Sequence, residues 1–483
     1  MQNSKFTDLL KTLTPIELRW FVEYVHSPIF NKHERLIKLI DVFYQQAPSY
    51  IAKELDRKNL FSFLFPREKY KEQKISDLIS YLVKLLEEFV AYLRYKKQPI
   101  LQKQYLLTEL RERALNKSFQ SVYRALNSMI EASEHRDEGY YHQRFLLETE
   151  SDLFFMKKEV RSGDDTLQKK VDNLDFFYLS VKLKNFCEMI NRKNIISTEY
   201  NLRMMDDILN YLENNILEFE AVPAITIYYK ILLTLTDSGD EIHYTQLKEI
   251  LAENALQFSM EEARQMYDYA QNYCIKKINR GNTSYSVELF NLYKLLLENK
   301  IIFEGKYLSQ WDYKNIVSTG LRLEEFKWTE KFIEDYKEKI FPEFRNNAYV
   351  YNRASYFYST ENYGNALKLL QKVEFTDLFY HLGSKSMLLK MYYELDEDEP
   401  FYSLVDTFNM YLKRNKLISH YQYEVHFNLI KFSKKTFNLK RRIAQHKKSV
   451  GKKEIENLKV KINATQNITN LQWLKEKVGE LCF

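Results

Sequence analysis

Two stretches place an arginine a short way before a histidine: Arg414-Asn-Lys-Leu-Ile-Ser-His420 and Arg136-Asp-Glu-Gly-Tyr-Tyr-His142. A guanidinium that holds a phosphate, beside an imidazole that moves a proton, is the minimal equipment for cleaving a phosphodiester. The spacing is permissive, because Arg19/His26 and Arg441/His446 stand in similar spans and some such pairs must be accidents of composition. Arg414 also closes an apolar-periodic segment, whereas His420 falls beyond the turn that follows, which separates the two side chains. A second charged feature is the run Lys440-Arg-Arg-Ile-Ala-Gln-His-Lys-Lys448. As one helix it presents Lys440, Arg441, Arg442, Lys447 and Lys448 on overlapping faces, able to contact several nucleic-acid phosphates without reading sequence. Between Lys431 and Lys461 twelve Lys and Arg face only Glu454 and Glu456, while the whole chain carries +6. The remainder is therefore net acidic and offers this run an internal partner, and a solvated, internally balanced face is the preferred reading.

Other chemistry is not encoded. The 10 glycines are scattered and form no phosphate-cradling loop, and the 9 histidines include no His-Glu-x-x-His pair, so neither a cofactor nor a metal is expected. Cys187, Cys274 and Cys482 lie far apart, without disulfide or thiolate-site spacing, which favours a reducing compartment. Residues 1–14 lack a signal-peptide core, and no stretch approaches the apolar length of a membrane span. A cytoplasmic protein with no membrane partner is the expectation.

The elements that carry these residues read as helices throughout. No glycine precedes Gly139 and no proline lies between Pro99 and Pro223, so long helices are the economical reading and almost no sheet is expected. Thr14-Pro15-Ile16-Glu17 is a capping box with proline at the first helical position, and it starts a helix with Leu18, Phe21, Val22 and Val25 on one face. A second short helix carries Leu36, Ile37, Leu39, Ile40 and Phe43 up to Ala47-Pro48. A long one carries Ile75, Leu78, Leu82, Leu86, Phe89 and Leu93 in a stripe wide enough to need covering by other helices. Short helices before a longer one could make a DNA-reading helix-turn-helix, but Lys84, Glu87, Glu88 and Arg94 give the long helix a mixed outer face, and a cap on a helical array is preferred. Further helices follow over 101–158. A turn at Arg161–Asp165 precedes helices near 174–190 and 200–217.

After Pro223 a spacing emerges. Aromatics at Tyr244, Tyr285, Phe326, Tyr363 and Phe401 recur at a near-regular interval, and two turns after each stands Leu251, Leu292, Ile333, Leu370 or Phe408. Each aromatic should open the second helix of a pair. The unit from Asn346 to Val373 is the clearest, with Val350, Ala354 and Phe357 on one helix and Tyr363, Ala366, Leu370 and Val373 on the next. Its small residues Ala354 and Ala366, with Phe357 and Tyr363, stand at the offsets of a tetratricopeptide repeat, which this unit resembles; the resemblance extends in weaker form over about 221–416. Leu247, Glu288, Thr329 and Leu404 replace the small residue in the other units, so wider packing is expected there. The resemblance implies an irregular right-handed solenoid of helix pairs and a groove lined by first helices, with Asn352, Ser355 and Tyr358 facing it. Asn352 would be the groove asparagine that holds a peptide backbone in that family.

The fold class read from the sequence is therefore all-α: an N-terminal helical domain (1–100), a helical region (101–220), tetratricopeptide-like helix pairs (221–416) and a basic C-terminal helical cap (417–483). The expected function is a non-enzymatic scaffold or adaptor that binds a protein or peptide. A nucleic-acid-associated regulator using the N-terminal helices or the basic run is the alternative. The Arg/His pairs also resemble the signature of HEPN ribonucleases, all-helical enzymes whose histidine and arginine act on RNA, and give a third, less favoured class.

Overall fold

A computed structural model of the chain describes residues 4–51, 53–156, 165–196, 199–236, 241–279, 282–370, 377–444 and 452–481, with backbone alone at 54, 194–196 and 279. The described residues are all-α, and among them are twenty-three α-helices and no β-strand beyond two isolated bridges. The chain divides into two compact units, Met1–Lys182 and Leu183–Phe483, and the division falls inside one long helix. The expected Arg161–Asp165 turn and Val373 lie outside the described residues, apart from Asp165.

The first unit holds α1 (Lys5–Lys11), α2 (Pro15–His26), α3 (Glu34–Gln45), α4 (Arg57–Leu64), α5 (Glu72–Lys96), α6 (Pro99–Glu112), α7 (Asn116–Glu131) and α8 (Glu138–Met156), and the start of α9 (Thr166–Ile196). α2 begins as its sequence dictates: the Thr14 hydroxyl accepts from Glu17 N–H, the Glu17 carboxylate accepts from Thr14 N–H at 3.0 Å, and Pro15 occupies the first turn. α5 is the spine. Helices α1 to α4 pack on it, and Ile75, Leu82 and Leu86 are fully enclosed with Phe21, Phe43 and Phe6. A helix so covered is a core element of this unit. A second core, Leu107, Phe119, Leu126, Ile130, Leu147 and Phe154, joins α6, α7 and α8.

The second unit continues with α10 (Met205–Asn215), α11 (Pro223–Thr236), α12 (Glu241–Asn254), α13 (Met260–Asn279), α14 (Tyr285–Glu298), α15 (Gln310–Arg322), α16 (Phe326–Tyr336), α17 (Arg345–Ser359), α18 (Tyr363–Leu370), α19 (Leu378–Glu394), α20 (Asp398–Arg414), α21 (His420–Ala444), α22 (Lys452–Ala464) and α23 (Leu471–Glu480). From α11 onward each helix packs on the next, and odd-numbered helices also touch across one intervening helix: α11 on α13, α15 on α17, α17 on α19, α19 on α21 and α21 on α23. These are the first helices of successive pairs. All five marker aromatics lie in the first turn of a second helix, α12, α14, α16, α18 and α20, and the residue two turns later is buried in every one.

In the α17–α18 pair Ala354 and Ala366 are both 0% exposed, as a close helix contact requires. The turn between them is made without glycine. Glu361 takes the left-handed conformation (φ 58°), and Asn362 N–H then reaches back to Phe357 O at 2.8 Å. The expected wider packing at the other pairs is not uniform. On α15 Gly320 leaves no room for a Cβ beside the Thr329 hydroxyl of α16, so there the first helix supplies the small residue. At the α12–α14 step Glu288 instead pairs with Lys248 at 2.9 Å.

Candidate functional site

Four consecutive first helices, α15, α17, α19 and α21, line a half-open cavity of about 290 Å³, bounded at one end by the α22–α23 connection. α15 contributes Lys314. Its start is set by Ser309, whose hydroxyl accepts from Asp312 N–H at 3.0 Å. The Lys314 ammonium lies among three rings, 5.4 Å from the centroid of Tyr351, 5.6 Å from Tyr380 and 6.0 Å from Trp311. Those rings hold one another: Trp311 stacks on Tyr380, Tyr351 meets Tyr380 edge to face, and the Tyr380 hydroxyl donates to Gln310 O at 3.2 Å. Gly383 on α19 makes this possible, because a Cβ there would sit 2.6 Å from the Tyr351 hydroxyl.

Lys390, near the end of α19, donates to Asn470 Oδ1 at 3.3 Å and lies 4.3 Å from the Tyr358 ring centroid. Asn470 caps α23 in the left-handed conformation, and the connection before it is tied to α21 by Thr469 N–H to Val425 O at 3.3 Å and Asn428 Nδ2 to Asn467 O at 3.1 Å. His426 on α21 completes the polar lining. Ser386 Oγ donates to Leu382 O at 2.9 Å and lies 3.1 Å from His426 Nδ1.

No carboxylate lines the cavity, and no ion pair reaches Lys314 or Lys390 among the described residues. The nearest carboxylates are engaged elsewhere. Asp377 caps α19 through Phe379 and Tyr380 N–H, Glu394 pairs with Lys477 at 3.0 Å and accepts from Trp473 at 2.7 Å, and Glu476 accepts from Gln472. Burial pushes the ammonium of Lys390 down to about 8, against a smaller upward pull from Glu394 and Glu476, and it lowers Lys314 as well. Burial and the neighbouring Lys314 charge push His426 down to about 4, which keeps the imidazole neutral. Two cations with only neutral partners make this an anion-attracting site.

The expected groove residues of α17 divide. Asn352 does not line an open groove: it is 0% exposed, and its Nδ2 donates to Ala348 O at 2.8 Å. Packing of α17 between α15 and α19 covers that face. The Ser355 hydroxyl is half-buried and donates to Tyr351 O, whereas Tyr358 lies under Lys390 at the cavity's edge. Of the basic run, Lys440 pairs with Asp396 at 2.6 Å, Arg441 with Asp398 and Asp396, and Arg442 with Glu454 at 2.8 Å; Lys447 and Lys448 lie outside the described residues. The Arg/His spans are not assembled as sites. Arg136 donates to Glu131 O and Ser133 O at the end of α7 while His142 packs against the Phe177 ring, and Arg414 ends α20 while His420, 86% exposed, begins α21 beside Glu424.

Cys187 and Cys274 are buried and unpaired, and burial raises both thiols, that of Cys274 to about 12. No group of three metal-ligating side chains occurs among the described residues, and no helix among them is long and apolar enough to cross a membrane. Sequence reasoning missed Lys314, Lys390 and His426. The available signal was faint: Lys314 and Tyr351 stand at the same offset before Phe326 and Tyr363, and Lys390 sits in the apolar stretch Leu388-Leu-Lys-Met391. No protein-family model matches this chain, and no curated protein or solved structure matches it.

Proposed function

We propose that this protein is a non-enzymatic scaffold or adaptor that binds an acidic peptide segment of a protein partner on the first-helix side of its second unit, in the manner of the tetratricopeptide repeats that α17–α18 resembles. The observation that supports this is the cavity among four successive first helices, which holds two ammonium groups and no carboxylate. Peptide binding needs such a concave, partly apolar wall with a few fixed polar groups, and the aromatic shell around Lys314 supplies the apolar part. A cytoplasmic location fits the unpaired cysteines and belongs to the same proposal. The internal pairing of Lys440, Arg441 and Arg442 gives the nucleic-acid reading no added support.

The test is selection of the full chain against a bead-displayed random peptide library. Recovered sequences should be enriched in Asp and Glu, bind more weakly as salt rises, and escape a Lys314→Gln/Lys390→Gln variant. Recovery of nothing, or equal recovery by the variant, ends the reading.

A further inference from the structure

The charge in the cavity specifies more than acidity. Lys314 contacts three aromatic faces and Lys390 an amide oxygen and a tyrosine ring, so both ammonium groups retain unneutralised charge and free N–H donors. One carboxylate would neutralise one of them and leave the other desolvated, which is costly. The cavity's volume of about 290 Å³ favours a compact group carrying both negative charges over two separate side chains. Asn470 and Thr469 at the bounded end and Gln422 on α21 add neutral polar groups to the lining. The His426 imidazole adds one more polar group to the lining.

We propose that this cavity binds a phosphate monoester, with Lys314 and Lys390 neutralising the dianion and the His426 imidazole hydrogen-bonding beside the ester. Such a group holds close to two charges at neutral pH and three acceptor oxygens in one small tetrahedron, matching two lysines as a carboxylate does not. The inference rests on the anionic-ligand reading of the same site. The phosphate can be carried by a phosphorylated side chain of a peptide or by a small free ester; the chemistry is shared.

The experiment measures binding of the full-length protein to three peptide libraries that differ at one fixed position, phosphoserine, serine or glutamate, and to phenyl phosphate and inorganic phosphate. Each is repeated with Lys314→Gln and Lys390→Gln, whose folding is checked by circular dichroism; relieving a desolvated charge should leave both folded. The expected result is tighter binding of the phosphoserine library than of the other two, by about 10-fold or more, with the difference lost in both variants. Binding of phenyl phosphate alone, also lost in the variants, keeps the phosphate site and removes the peptide reading. Equal binding of all three libraries, lost in the variants, keeps the peptide reading and overturns the phosphate site. No binding of any probe, or binding indifferent to both lysines, overturns both.

Discussion

The cations at 440–442 and those at Lys314 and Lys390 belong to the same unit and answer to opposite rules. Every described cation of the 440–442 run meets a carboxylate: Lys440 and Arg441 hold Asp396 and Asp398 at the start of α20, and Arg442 holds Glu454 of α22. Those contacts fasten α21 to the helices on either side. The cavity lysines have no such partner, and burial lowers both ammonium groups. Local density of charge therefore does not mark the place where charge is available to a ligand. Availability depends on what the neighbouring helices bring, and α15, α17, α19 and α21 bring rings, amides and a neutral imidazole.

The comparison breaks first if the helix pairs are not packed as described, and the largest expected effect tests that. Ala366→Glu puts a charge into a fully enclosed contact between α17 and α18, with neither a cavity nor a partner to receive it. A loss of about 3 kcal/mol or more is expected from overpacking and desolvation together. Thermal melting checks it, and an unchanged transition would mean that α18 does not bury this face.

Next in size is the cost of the unpaired cavity charge. The folded-state value of Lys390 lies near 8 and its ordinary value at 10.5. Between these limits the unfolded chain holds a proton that the folded chain has given up, so stability should rise with pH through that window and carry the full penalty below it. Lys390→Met removes the penalty. The variant should be more stable than the parent at pH 7, by at most about 3 kcal/mol on the usual conversion of such shifts, and the two should converge by about pH 10. Urea denaturation at stepped pH reads this directly. A variant less stable than the parent at pH 7 would show that the lysine is neutralised in the folded protein, and the contrast with the basic run would vanish.

Much of the architecture was legible because it depends on local pattern. The Thr14–Glu17 capping box, the stripe of α5 and the five aromatics that open second helices all rest on side-chain types at fixed offsets. Helix ends were less legible, and the reason is physical. Ala114, Lys300, Glu324, Glu361 and Asp396 each take the left-handed conformation, and each is followed by an N–H that bonds back to a carbonyl in the helix's last turn. Glycine usually marks such ends, and here it does not. The cavity was illegible for another reason: Lys314, Lys390 and His426 come from three helices, and only packing unites them. Asn352 was misplaced because the tetratricopeptide offset fixes its position on α17 but not how closely α15 and α19 cover it. The glycine-free ends make a smaller prediction. Glu361→Gly should stabilise the protein by about 1 kcal/mol, because an L side chain in that conformation costs roughly this much. A drop in melting temperature would mean that the Glu361 side chain contributes more than its backbone costs.

The smallest effect belongs to the basic run, and it decides whether the pairing there is structural or incidental. Arg441 and Asp398 are 26% and 56% exposed, so water and salt screen much of their attraction. A double-mutant cycle with Arg441→Gln and Asp398→Asn isolates the pair from the packing of the guanidinium over the Phe437 ring, 4.9 Å away. The coupling should be favourable but below about 1 kcal/mol at low salt, and smaller still at high salt. In the cavity the same cycle logic has no second member, since Lys390 lacks a carboxylate to delete. If the Arg441 coupling is zero at every salt concentration, the run is a solvated face whose contacts hold nothing. Its cations would then be as available as those of Lys314 and Lys390, with water rather than a cavity around them.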